Sequence, residues 1–236
     1  MSILAIDTAS MVSSVAVASQ ERLLAELTVQ TKLTHSETLL PHIEQVLQMA
    51  GVKKEELQGI AVSIGPGSFT GLRIGLATAK SIAYALQLPL LGISTLEALA
   101  WHYPVPGIYT AALLDAQKGN AYAALYAWEH GTIVGKEPVT VASFAEVLEH
   151  CAALERPVVL VGDIVQKKAA KLQELPENVI LAPAHMIMPR AANVAQAALR
   201  RLAAGESDHV MDLEPVYIRR SEAEVLWEKR HAKAAE

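Results

Sequence analysis

The sequence predicts an α/β fold of two lobes, each a mixed sheet flanked by helices, and three observations carry that prediction. An apolar strand ending in an acid occurs twice, at Ile3 to Ile6 with Asp7 and at Ile108 to Leu114 with Asp115. The same order of parts follows each: a polar turn, two antiparallel strands, a helix, and a strand that breaks at glycine. The chain has 236 residues, of which 52% are apolar and 19% charged, enough for two small cores of about 110 residues each.

Taken in order, the strand Ile3 to Ile6 ends at Asp7 and the small polar turn Thr8-Ala9-Ser10. A strand from Ser13 to Ala18 turns at Gln20-Glu21 into a third, Leu23 to Val29. A helix spans about Ser36 to Ala50, with Leu39, Ile43, Val46, Leu47 and Ala50 on one stripe and Leu40 and Met49 beside it, an arc broad enough for two neighbours. Pro41 would remove a hydrogen bond from a helix interior, so the regular helix is expected to begin near Leu40. The strand Ile60 to Ile64 breaks into Gly65-Pro66-Gly67 before a helix from Ser68 to Leu86. Pro89 to Ile93 and a helix from Thr95 close the first half.

Pro104-Val105-Pro106-Gly107 marks the boundary, giving lobes at residues 1 to 104 and 105 to 220. In the second, strands Ala121 to Trp128 and Ile133 to Val141 meet at His130-Gly131, and a helix runs from Phe144 to His150. The strand Pro157 to Val161 then meets Gly162-Asp163 and another helix. An apolar helix from Ala191 to Ala204 fits either lobe, and Ser221 to Glu236 is expected to form a helix packing back on the first.

Gly65-Pro66-Gly67-Ser68 between strand and helix admits two readings, a tight turn capped by Ser68 or a backbone anion site. It is not a Walker A loop, because Leu72 and Arg73 stand where the Lys-Ser/Thr pair would be. Along the following helix, Gly71, Gly75, Ala79 and Ala83 recur at a spacing of four, a face that another backbone can approach closely. Two helical glycines cost about 1 kcal/mol each against alanine, so close packing must offset them. The neighbour is this chain's own sheet or first helix, or a second subunit. Arg73 and Lys80 either meet an acid on a partner or stay solvated.

Composition narrows the function classes. No apolar run reaches the roughly 20 residues that span a bilayer, and no basic region precedes the first apolar stretch, so a cytosolic chain is expected. Cys151 is the one cysteine, which leaves no disulfide framework or cysteine zinc site. A net charge of −5 argues against a surface built on many RNA phosphate contacts. The terminal Arg219, Arg220, Lys229, Arg230 and Lys233, interrupted by Glu222, Glu224 and Glu228, read as a mixed solvated face. His35 and His42 lie seven residues apart, whereas a helical zinc pair needs three or four, so no metal site is expected.

Duplicated halves that each open on an acidic strand end resemble the actin-like superfamily, in which the turns after the first strands face nucleotide phosphates across a cleft. Within it, Ser63-Ile64-Gly65-Pro66-Gly67-Ser68-Phe69-Thr70-Gly71-Leu72-Arg73-Ile74-Gly75, continued by Leu76 to Lys80, closely resembles the signature of the TsaB family. Ala5-Ile6-Asp7-Thr8-Ala9, His35-Ser36-Glu37 with Leu39-Leu40-Pro41, and Pro215-Val216-Tyr217-Ile218-Arg219 extend the resemblance along the chain. It implies a non-catalytic, cytoplasmic subunit that heterodimerises with TsaD, its catalytic paralogue. With the ATPase TsaE, TsaD transfers threonylcarbamoyl to the adenosine beside the tRNA anticodon. Self-association without TsaD and only indirect contact with tRNA are also implied.

The partner interface is expected on the two helices at Leu39, Leu40, Ile43, Val46, Leu47, Phe69, Leu72, Arg73, Gly75, Leu76, Ala79, Lys80 and Ala83. Asp7, Thr8, Ser10, Gly65, Gly67, Ser68 and Asp115 would form a vestigial phosphate loop, with no cofactor or metal held. Some relatives of the family were once described as metallopeptidases, but the histidine pair that holds the metal in TsaD is not recognisable. The alternative enzyme reading is an ATP-dependent small-molecule kinase, with Asp7 and Asp115 as magnesium ligands or general base. Against it, Gln117 stands in place of the glycine typical of superfamily phosphate loops, and each acid is equally placed to cap its own turn.

Overall fold

The computed structural model describes residues 1–30, 35–169 and 174–218. The first half runs β1 (Ser2–Asp7), β2 (Val12–Ser19), β3 (Leu23–Gln30), α1 (His35–Ala50), β4 (Ile60–Gly65), α2 (Phe69–Leu86), β5 (Leu90–Ser94) and α3 (Thr95–Ala100). The second runs β6 (Tyr109–Asp115), β7 (Asn120–Glu129), β8 (Thr132–Gly135), β9 (Thr140–Ser143), α4 (Phe144–Ala152), β10 (Val158–Val161), α5 (Asp163–Ala169), β11 (Val179–Leu181) and α6 (Ala191–Ala203).

The strand orders are β3-β2-β1-β4-β5 and β8-β7-β6-β10-β11, so the halves have the same topology. Each lobe's first strand pairs antiparallel with the next one, β1 with β2 and β6 with β7, and parallel with the strand after the lobe's first helix, β1 with β4 and β6 with β10; β9 is an extra strand on β7. The duplication read from the order of parts is thus present in the pairing itself, and the fold is the duplicated actin-like one. β1 and β10 are buried along their length, which is why they read as continuous apolar runs rather than alternating ones.

Three apolar layers result. One lies between the first sheet and α1 with α2, and holds Leu4, Ile6, Leu39, Ile43, Val46, Val62 and Leu76. A second, in which α3 and α6 sit between the sheets, joins Ile3, Leu91, Leu96 and Leu199 to Ala112, Leu114 and Val161 of the second lobe. The third covers the far face of the second sheet with α4 and α5. Each fully buried Leu, Ile or Val contributes roughly 1.5–3 kcal/mol of transfer free energy.

Several sequence expectations are corrected. α1 runs through Pro41 instead of starting near Leu40. The carbonyl that Pro41 leaves without its helical donor belongs to Glu37, an exposed residue of the first turn, so the proline falls where the helix is open to solvent. The strand expected over Ile133 to Val141 is two, β8 and β9, which pair with opposite ends of β7. Pro138 between them has no N–H for the ladder.

The second lobe also ends sooner than residue 220. After β11 the chain returns, and α6 packs on the first sheet, with Ala191 N donating to Ser14 Oγ at 2.9 Å and Ala192 N to Glu26 Oε1 at 3.0 Å. Arg190 pairs with the same Glu26 carboxylate. A strap, residues 207–218, then follows the first lobe: Asp208 N donates to Leu90 O at 2.8 Å and Val216 N to Ile64 O at 2.7 Å. The helix expected over Ser221 to Glu236 lies outside the described residues.

Candidate functional site

The turn after β1 is built against the start of α2. Asp7 is buried, its Oδ1 accepting from Ala9 N at 3.1 Å and its Oδ2 from Ser63 Oγ. Thr8 Oγ1 donates to Gly71 O at 2.7 Å, Val12 N donates to Ser10 Oγ at 3.2 Å, and Ser68 N donates to Ala9 O at 2.7 Å. Ser68 caps α2 by accepting from Gly71 N at 3.2 Å.

This close seating explains the glycines. A Cβ on Gly67 would lie 2.3 Å from Ala9 O, one on Gly71 2.0 Å from Thr8 O, and one on Gly75 2.2 Å from Thr8 Oγ1. Gly65 has φ +118°, and a Cβ there would meet Val216 O of the strap at 2.7 Å. The segment Gly65 to Ser68 is thus a capped turn, with Ser68 N engaged by Ala9 O and Gly71 N by Ser68 Oγ.

The second lobe repeats the device. Asp115 Oδ1 accepts from Gln117 N at 2.8 Å, as Asp7 does from Ala9, and Lys167 Nζ lies 3.3 Å from its Oδ2. Asp115 N donates to Asp163 Oδ1 at 2.9 Å. Burial pushes the Asp163 carboxyl above the usual range, against the lowering effect of that bond and of Lys167. Both acids thus cap their own turns, the role weighed against magnesium binding. Among the described residues no group of three or more His, Cys, Asp or Glu is placed to hold a metal ion. His42 meets Ser13 Oγ through Nδ1 at 3.2 Å.

The expected interface residues divide by burial. Leu39, Ile43, Val46, Leu72, Gly75, Leu76, Ala79 and Ala83 lie inside this lobe, so they are closed to a partner. The two glycines of the small-residue stripe are closed by this chain's own Thr8, with Val62 beside Gly75. Leu40 is 62% exposed and Phe69 38%, Arg73 is exposed, and Leu47 and Lys80 are half-buried. Met49, on the opposite flank of α1 from Leu40, is 52% exposed, and Tyr84 of α2 is 65% exposed.

Both charges on α2 meet the strap, in different ways. Lys80 Nζ donates to Met211 O at 3.0 Å and Leu213 O at 2.9 Å, fastening the strap. Arg73 Nε donates to Tyr217 Oη at 2.9 Å, and its guanidinium stacks 3.9 Å from the Phe69 ring centre. In the sequence Tyr217 stands out only within the segment Pro215 to Arg219. Its link to Arg73 spans 144 residues, and no local pattern signals a contact at that separation.

No described helix is long and apolar enough to cross a membrane. Residues 16–227 match the family described as TsaD, tRNA N6-adenosine threonylcarbamoyltransferase. The chain is 30% identical over 228 residues to the tRNA threonylcarbamoyladenosine biosynthesis protein TsaB of Bacillus subtilis, covering 96% of this chain and 98% of that protein. It is 32% identical over 233 residues to the TsaB of Escherichia coli, covering 97% and 98%. The structure of YeaZ from Pseudomonas aeruginosa superposes with a TM-score of 0.78 at 26% identity, over 92% of this chain and 99% of that one. The ethanolamine utilization protein EutJ from Carboxydothermus hydrogenoformans, with a TM-score of 0.51 at 13% identity over 83% and 89%, shares the fold alone. By its end-to-end likeness, its duplicated topology and its Gly65 to Gly75 turn, this chain belongs to the TsaB (YeaZ) family.

Proposed function

We propose that this chain is the non-catalytic accessory subunit of tRNA threonylcarbamoyladenosine modification. It binds and supports TsaD while threonylcarbamoyl is transferred to the adenosine next to the anticodon. The observation that carries the reading is its similarity, over almost its whole length, to two proteins named for that biosynthesis. A supporting role without chemistry of its own fits two closed turns. Asp7 is buried under hydrogen bonds, Asp115 is engaged by Gln117 N and Lys167, and the start of α2 is stoppered by Ala9 and Ser68. The same closure favours a subunit that holds neither nucleotide nor metal.

TsaD docks on the outer face of α1 and α2 in this reading, where Leu40, Phe69 and Tyr84 are exposed. A second copy of the chain uses that face when TsaD is absent. With a net charge of −5, the chain leaves tRNA to TsaD and meets TsaE through the TsaD complex, in the cytoplasm.

The test is reconstitution: transfer of threonylcarbamoyl to unmodified tRNA by the cognate TsaD and TsaE, with and without the chain, beside Leu40→Asp. Transfer should require the chain. Leu40→Asp, which places a charge on an exposed site, should weaken TsaD binding by roughly tenfold or more with the fold intact. Transfer indifferent to the chain, or ATP hydrolysis by the chain alone, would overturn the proposal.

A further inference from the structure

We infer that Arg73 is a preformed receptor for a carboxylate on the partner protein, set in an aromatic patch at the first turns of α2; the inference rests on the reading of TsaD as that partner. Phe69 and Arg73 stand one helical turn apart, so their side chains share a face. The strap lays Tyr217 against Phe69, ring centres 4.9 Å apart and tilted by 31°. The guanidinium lies over Phe69, 3.9 Å from its ring centre, and 5.9 Å from the centre of Tyr217.

Stacking fixes the plane of the guanidinium, and the bond from Nε to Tyr217 Oη fixes its rotation in that plane. One of its five N–H donors is thereby used. No ion pair of Arg73 is made among the described residues, and the side chain is exposed. The Nη1 and Nη2 donors therefore face outward as a fork of set orientation, the geometry that a carboxylate satisfies with both oxygens.

Surrounding exposure argues for a protein ligand. Phe69, Val216 and Tyr217 are 38%, 45% and 40% exposed beside the charge, an arrangement of aromatic and arginine side chains that forms the centre of protein interfaces. Phosphate fits the same fork, but an RNA surface needs several cations, and this chain's net charge is −5. The occupant is thus an Asp or Glu of TsaD, whose ion pair the rings shield from water once the face is covered.

The experiment compares full-length wild type, Arg73→Gln, Arg73→Lys and Tyr217→Phe for TsaD affinity, tRNA retention and Tm. Arg73→Gln and Arg73→Lys should each weaken TsaD binding tenfold or more, because the fork and not the charge alone is recognised. Tyr217→Phe, which frees only Nε, should weaken it a few-fold, and Tm should stay within about 2 °C in all three. Wild-type affinity in Arg73→Gln overturns the receptor while leaving TsaD as partner, and wild-type affinity in Arg73→Lys shows that a point charge suffices. A matching fall in Tm assigns the carboxylate to this chain itself, and loss of tRNA with TsaD binding intact assigns a phosphate; both overturn the inference. Failure of the wild type to bind TsaD overturns it together with the reading beneath it.

Discussion

Replacing Gly75 by alanine places a Cβ 2.2 Å from Thr8 Oγ1, a hydroxyl that is buried and that donates to Gly71 O at 2.7 Å. The hydroxyl must leave, which costs about 1–3 kcal/mol of repacking and about 1–2 kcal/mol for the broken buried hydrogen bond. Alanine's better helix propensity returns about 1 kcal/mol. The net loss is about 2 kcal/mol, or a fall in Tm of roughly 4–8 °C for a chain of this size. Thr8→Ala should rescue it, since the next neighbours of the new Cβ are then Thr8 Cβ at 3.5 Å and Val62 Cγ2 at 3.7 Å, both ordinary contacts. Thermal unfolding of the two single variants and the double forms a cycle with a favourable coupling of about 2–5 kcal/mol, the sum of the repacking and hydrogen-bond costs that Thr8→Ala relieves. Gly71→Ala supplies the contrast: its obstacle is Thr8 backbone O at 2.0 Å, so it should cost more and Thr8→Ala should not restore it. A Gly75→Ala protein of wild-type Tm that binds TsaD poorly would refute the intramolecular packing, as would a strictly additive double variant.

Two further outcomes are expected. Burial holds the Asp163 carboxyl above its unfolded value near 3.9, so the folded state binds the proton more tightly and loses stability as pH rises through that window. Asp163→Asn keeps an acceptor for Asp115 N, and in urea denaturation from acid to neutral pH it should flatten this fall and be more stable than wild type at pH 7; an unchanged pH slope would contradict the assignment. Cys151 is buried and its thiol is pushed up to about 11, chiefly by burial. An aromatic disulfide reagent at mildly alkaline pH should leave it intact in the native protein and titrate it fully in guanidinium; rapid native reaction would show the site open.

Much of the fold was legible because it rests on local signals. Ile3 to Ile6 and Val158 to Val161 are strands covered on both faces, and such strands need unbroken apolar runs. Asp7 and Asp115 cap their turns through N–H groups two residues on, a contact contained within the motif. Ser68 likewise caps a helix three residues away. Where the structure departs from these local signals, exposure and strand pairing decide. Pro41 looks disruptive until Glu37 is seen to face solvent, and Ile133 to Val141 looks like one strand until β7 is seen to pair with its two ends separately.

By itself, then, the sequence determined the duplicated α/β plan, the acid at each strand end and the close-packing helix of Gly71 and Gly75, because spacing of 2 or 3.6 residues is written along the chain. Tertiary structure alone decided what those groups touch. The glycine face meets Thr8 of its own lobe, α6 and the strap return to the first sheet, and Arg73 is oriented by Tyr217 from 144 residues away. Side-chain period sets which face a residue occupies, and only the path of the returning chain sets which of those faces stay open.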